Sequence, residues 1–225
     1  MDILMNHIQI QVNENMYLKD PNSSELGVKI LVKGLSLIEE MGLEKFTFKK
    51  LGEELDTTES SIYRYFENKH KLLNYLISWY WGWMEYRLAF ENNNIFDPRV
   101  KLSNGIKLLA KPKFSDSRSI GLDLHSLYEV LISESCKTYL TKEVDEINKA
   151  GYFMAYKQFV HGFVSIIQEI NPNFKHPYTL VSTVIEGMHH QQYFADHIPS
   201  LTDFGKSDET LIEFYENLCL SLLKS

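Results

Sequence analysis

Cysteine is scarce in this 225-residue chain, with two in all, and proline and glycine are modest at six and eleven. Cys136 and Cys219 are too few for a disulfide framework and lack the paired spacing of a zinc site, so both read as reduced core residues. No apolar run reaches the roughly 18 residues that cross a bilayer. Met1 to Ile10 lack the basic flank and small-residue cleavage site of a secretory signal, so a soluble, cytoplasmic protein with no membrane partner is expected. An HExxH pair, a phosphate loop, a glycine-rich dinucleotide fingerprint and a Gly-x-Ser-x-Gly elbow are all missing, so neither an enzyme nor a cofactor is expected. His189 and His190 invite a metal, but adjacent helical residues point about 100° apart and do not form the i, i+4 pair that grips zinc, so no metal is expected.

Positive charge is in deficit too. The net charge is −7, which argues against a protein that coats nucleic acid along its whole surface. Between Glu25 and Tyr75 the net is only −1, however, and the remaining −6 lies on the rest of the chain. A few locally placed cations therefore suit contact with a specific duplex site.

What the chain has in quantity is apolar residues, 44% by the broad count, at helical spacing. Ile8 to Val12 alternate with the period of a half-buried strand, and with the turn at Asp20-Pro21-Asn22 they mark residues 1–24 as an N-terminal arm. Beyond a cap at Ser24 the breaks fall at Gly42, Asp56 to Thr58, Glu67-Asn68, Asn92 to Asn94, Lys111-Pro112, Asn171-Pro172 and Pro199 to Gly205. The expectation is an all-α fold of about nine helices in two bodies.

Helix one is expected from Leu26 to Glu40, with Ile30, Gly34 and Ile38 on one line and Leu31 and Leu35 on the next. Thr47 can cap a second helix that buries Phe48, Leu51, Gly52 and Leu55 and leaves Lys49, Lys50, Glu53 and Glu54 outside. After a turn at Asp56, Thr58 can cap a third helix that buries Ile62 and Phe66 and offers Ser60, Ser61, Tyr63 and Arg64 to a partner. Two short helices joined by a tight turn on a third are the minimum that presents a recognition helix.

The residues Lys29-Ile30-Leu31, Met41-Gly42, Thr47 to Leu55, Ser61 to Lys69 and Leu72-Leu73 resemble the N-terminal signature of the TetR family, most specifically in the run Tyr63-Arg64-Tyr65-Phe66 followed by Lys69. That resemblance implies a helix-turn-helix DNA-binding domain at 25–73 and a helical ligand-binding and dimerisation domain at 74–225. It implies a homodimeric, ligand-responsive transcription regulator, a repressor on a palindromic duplex operator released by a small-molecule effector. In this reading Thr47, with the amides of its helix N-terminus, and Tyr63, Tyr65 and Lys69 meet the phosphate backbone, joined by Lys49 and Lys50. Thr58, Ser60, Ser61 and Arg64 lie nearest base edges, and the Arg64 fork is suited to guanine. Two residues depart from the family pattern. Asp56 stands where a turn glycine is usual, and Glu59 is an acid near the phosphates that also suits the first turn of its helix.

Helix four, Lys69 to Glu91, carries Trp79, Tyr80, Trp81, Trp83, Tyr86 and Phe90; in the family it links sensor to reader, and its tilt would respace the recognition helices of a dimer. A long helix from Lys142 to Ile170, capped by Thr141, is expected next. Its aromatic side suggests a ligand cavity lined by Trp83, His125, Tyr128, Phe153, Tyr156, Phe159, His161 and Phe163. A plain core would use the same stripe. Helices at Tyr178 to Asp196 and Asp208 to Leu223, the second capped by Ser207, are the implied dimer interface. The alternative is an all-helical carrier or enzyme with a vestigial helix-turn-helix.

Overall fold

Helix ends leave backbone N–H and C=O groups without partners inside the helix, and the computed structural model shows how this chain satisfies them. It describes residues 10–110, 121–205 and 207–224. Among these, the helices are α1 (Glu25–Lys45), α2 (Phe48–Glu54), α3 (Glu59–Tyr63), α4 (Lys69–Glu91), α5 (Pro98–Ala110), α6 (Leu124–Glu134), α7 (Cys136–Tyr139), α8 (Val144–Lys149), α9 (Met154–Ile170), α10 (Pro177–His197) and α11 (Asp208–Leu223), with no strand. Eight of them have seven or more residues, so the fold is all-α.

Residues 10–82 and 121–155 form one compact unit. Both expected stripes of α1 are buried, Ile30 and Ile38 with Leu31 and Leu35, and α1 packs along α6. Ser24 caps α1 by accepting from the Gly27 amide. The break at Gly42 is real, with φ at 74°, but the chain returns to helix as far as Lys45. That kink frees polar backbone groups, of which the Leu43 N–H is buried. Glu134 of α6 is buried and accepts from the Leu43 N–H at 3.1 Å. Lys69 of α4 donates to the carbonyls of Leu43, Glu44 and Phe46 at 2.8, 3.2 and 3.3 Å. Hydrogen bonds to charged partners contribute about 1.5–3 kcal/mol each, so the corner between α1 and α2 is held from two sides.

Two expectations need correcting. Ile8 and Gln9 lie outside the described residues, and Ile10 to Val12 are not a strand; the arm continues into a 3-10 turn at Glu14–Met16, capped by Asn13. Met16 is fully buried, so the arm is packed. The helix expected from Lys142 to Ile170 is two helices, α8 and α9, because Gly151 takes φ of 83° and Tyr152 turns to donate to the Asn15 carbonyl. Thr141 caps neither. The break expected at Lys111-Pro112 lies outside the described residues.

The second unit contains residues 83–110, 156–205 and 207–224. Its core is Leu102, Ile106 and Leu109 of α5, Phe159, Phe163 and Ile167 of α9, Val181, Val184, Ile185 and Met188 of α10, and Leu211, Tyr215 and Cys219 of α11. Within it α5 packs on α10 and α11. Ser207 caps α11 through the Thr210 amide at 3.3 Å, whereas α10 has no side-chain cap. Burial pushes the Cys219 thiol up to about 12, in keeping with an inert core thiol.

Candidate nucleic-acid interface

The helix-turn-helix is built from three local devices. Thr47 caps α2 by accepting from the Lys50 amide at 3.2 Å, which leaves its own hydroxyl proton available to an outside acceptor. Thr58 caps α3 through the Ser61 amide at 3.3 Å and also meets the Ser61 hydroxyl at 2.9 Å. Between them Asp56 adopts φ of 51°, the left-handed geometry that glycine more often takes, and the Thr57 amide closes the turn on the Gly52 carbonyl at 2.9 Å. A Cβ on Gly52 would stand 2.9 Å from the Thr57 carbonyl oxygen, so only glycine lets α2 approach the turn this closely.

The core side of the motif is Phe48, Leu51, Ile62 and Phe66, all buried. The Phe48 ring meets Phe46 and Tyr63 edge-on, and Tyr63 still leaves 46% of its surface in solvent. Lys49, Thr47, Thr58, Ser60 and Arg64 are exposed and Ser61 is half-buried. Lys50 is exposed, but its ammonium donates to the Lys45 carbonyl at 2.9 Å. Glu59 is exposed in the first turn of α3, where a carboxylate favours the helix dipole.

Two residues expected at the phosphates are engaged elsewhere. Tyr65 is 4% exposed; its hydroxyl lies 2.8 Å from the Ser24 hydroxyl and accepts from Lys19 at 3.3 Å, and the Lys19 ammonium sits over its ring. The Ser24 and Lys19 bonds hold the Tyr65 phenol below the usual tyrosine range. Lys69 has three carbonyl acceptors at the end of α1. Both are thus tied into the unit by hydrogen bonds, Tyr65 buried and Lys69 half-buried. A reader of the sequence alone sees two polar side chains at family positions, and nothing local betrays that an arm some 40 residues earlier occupies one of them.

The family model described as "Bacterial regulatory proteins, tetR family" matches residues 30–76, a span that opens within α1, contains α2 and α3 and ends early in α4. Over these residues the chain is similar to the TetR family of DNA-binding regulators. Solved structures agree on the fold. The regulator is similar to the fatty acid degradation regulator FadR from Bacillus halodurans (18% identity, 87% of this chain and 93% of that one, TM-score 0.59). It is similar also to AibR, solved in complex with isovaleryl coenzyme A and operator DNA (16%, 84% and 95%, 0.57), and to the ketosteroid transcriptional regulator KstR2 of Mycobacterium tuberculosis (12%, 97% and 97%, 0.53). By sequence, no curated protein matches the regulator. It is a DNA-binding protein whose reading element lies in the first third of the chain.

The side chains expected to line a cavity fall in both units. His125, Tyr128 and Phe153 are in the first, where Tyr128 is buried with its ring tilted against Tyr80. His125 is exposed and lies 3.9 Å from the Glu129 carboxylate. Trp83, Tyr156, Phe159, His161 and Phe163 are in the second. Phe159 and Phe163 meet edge-on in the core, and Tyr156 donates to Glu186 at 3.2 Å, with burial and the Glu186 carboxylate pushing its phenol well above the usual tyrosine range. His161 is exposed and hydrogen-bonded to Tyr178 at 3.0 Å, so it faces away from that core.

Of the buried polar groups of the second unit, the sequence drew attention to His189 but not to Arg87. Arg87 is 4% exposed, lies over the Trp83 face at 4.8 Å and pairs with Glu91 one turn on. His189 is buried, and burial with the neighbouring His190 holds it down to about 4, so it is neutral near pH 7. The i, i+4 spacing of Trp83, Arg87 and Glu91 was the available signal. Among the described residues no group of three or more His, Cys, Asp or Glu side chains could hold a metal, and no helix is long and apolar enough to cross a membrane.

Proposed function

We propose that this regulator is a cytoplasmic, homodimeric repressor that reads a palindromic duplex and is released by a small-molecule effector. Thr58, Ser60, Ser61 and Arg64 lie nearest base edges in the major groove, with Arg64 reading guanine, while Thr47, Lys49, Lys50 and Tyr63 position the protein on phosphates. The observation that carries this reading is the exposed row of Ser60, Tyr63 and Arg64 opposite buried Ile62 on a helix capped at Thr58. Tyr65 and Lys69 contribute by holding that row in place.

The dimer reading rests on α11, which has two lines of apolar side chains. Leu211, Tyr215, Cys219 and Leu223 are buried, but Phe214 and Leu222 are exposed and Leu218, between them, is half-buried. A second apolar stripe at i, i+4, i+8 is what a helix needs to pack on its own copy. The effector site is proposed in the helical body, where Trp83, Tyr156, Phe159 and Phe163 give an apolar lining with a few polar groups. Because AibR was solved with isovaleryl coenzyme A, that thioester is the first compound to try. No catalytic step is needed for this activity.

The test is selection from a random duplex library at two salt concentrations. Recovery of a palindrome whose affinity falls steeply with salt supports the reading. Uniform non-retention by folded, dimeric protein overturns it.

A further inference from the structure

The arm before α1 is bound at both ends to functional parts of its unit. At one end it holds the exit of the recognition helix. The Leu18 amide donates to the Tyr65 carbonyl at 2.8 Å, Lys19 donates to the Tyr65 hydroxyl, and Ser24 meets the same hydroxyl. Asn22 donates to Tyr75 of α4 at 2.9 Å. At the other end the arm grips the joint between α8 and α9. Asn13 and Asn15 both donate their side-chain amides to the Ala150 carbonyl, at 3.0 and 3.1 Å. Tyr152 donates back to the Asn15 carbonyl, which also accepts from Lys71 at 3.0 Å. Gly151, between those two contacts, has φ of 83°, and a Cβ there would stand 2.6 Å from the Asn13 side chain. Fully buried Met16 anchors the middle. The joint is also where the chain leaves the first unit, since the second resumes at Tyr156 in α9.

We propose that residues 13–24 are a positioning strap that ties the recognition-helix exit at Tyr65 to the joint at Ala150–Tyr152, so that movement of the joint reaches the DNA-reading helix along the strap as well as through α4. Ordinary packing of an arm would need neither two side-chain amides converging on one carbonyl nor a return bond to the same short segment. The strap acts through Tyr65 and touches no DNA, so its residues are positioning residues. The DNA-affinity arm of the test rests on the regulator reading above, whereas the exchange arm does not.

The experiment breaks the joint end and reads the other end. In Asn13→Ser with Asn15→Ala, the serine keeps the 3-10 cap but cannot reach Ala150, and no charge changes. Gly151→Ala attacks the same joint from the opposite side and serves if the double variant fails to fold. Hydrogen exchange at the Leu18 amide and affinity for a duplex selected by the wild-type protein are measured together. Asn171→Ala, which loses a 3.2 Å side-chain bond to the Leu223 carbonyl, is the control. Expected are about tenfold faster exchange at Leu18 and about 3- to 30-fold weaker duplex binding, with an unchanged salt slope because the phosphate contacts are the same. Restoring Lys19 contact is checked by Lys19→Ala, which should weaken binding, and Lys19→Arg, which should recover it. Unchanged Leu18 exchange overturns the strap, as does equal weakening in Asn171→Ala. If the wild type selects no duplex, the regulator reading fails while the exchange result still decides the strap.

Discussion

The two units satisfy their polar groups in opposite ways. In the first, the N-termini of the three helix-turn-helix helices are capped by side chains three residues away, as Ser24, Thr47 and Thr58 meet the Gly27, Lys50 and Ser61 amides. In the second, the demanding groups lie within helices and are buried, as with Arg87 over Trp83 and neutral His189. Capping is a short-range code that gives a fixed small shape, which a reading head requires. Buried polar groups within long helices depend on whatever surrounds them.

The sharpest way to test that division is to damage the core of the second unit. Ile106 of α5 is fully buried, and Ile106→Ala should cost about 2–5 kcal/mol, lowering Tm by about 10 °C. Well below that Tm, duplex affinity should remain near wild type. A loss of affinity as large as the loss of stability would mean that the head does not stand on its own local devices.

Acid offers the next contrast. His189 is held down to about 4 in the folded protein against 6.5 for a free histidine. Between those values the unfolded chain binds a proton that the native state refuses, so stability rises with pH across that window and is lost as pH falls from about 6.5 towards 4. The full span is worth about 3 kcal/mol. Urea titrations of wild type and His189→Asn should converge at pH 4 relative to pH 7; an equal acid loss in both would assign it to other groups.

Distance along the sequence, and not the unit, decided what was legible. The caps at Ser24, Thr47, Thr58 and Ser207, the left-handed Asp56 and the span of α4 were readable because each follows from residues within one turn. The long helix expected from Lys142 failed at Gly151, where the deciding partners are Asn13 and Asn15, some 137 residues away in sequence. The hydrogen bonds of Tyr65 to Ser24 and Lys19, and of Lys69 to the carbonyls of Leu43, Glu44 and Phe46, were likewise illegible because those partners lie 23 to 46 residues away.

Within the head, base reading and positioning should separate. Arg64→Ala is expected to lose about 1–3 kcal/mol of discrimination at one base pair of the half-site, while Lys49→Ala weakens binding to all duplexes alike and lowers the salt slope by about one. Selection profiles of both variants check this. Identical flattening of the profile in the two would remove Arg64 from base readout.

The finest comparison sets the same bond in the two units side by side. Thr58 caps α3 and Ser207 caps α11, each through an amide three residues on at 3.3 Å. Thr58→Ala and Ser207→Ala should each cost about 1 kcal/mol in stability. Their effect on function should differ, because α3 has only five residues and its first turn is most of the recognition helix. Fraying there displaces Ser60 and Ser61, whereas fraying α11 at Asp208 leaves the reading face untouched. Duplex affinity should therefore fall about tenfold for Thr58→Ala and stay at wild type for Ser207→Ala in protein confirmed as dimer. Equal affinities would show that α3 is held by Ile62 and Tyr63 packing alone, and that its cap is dispensable for reading DNA.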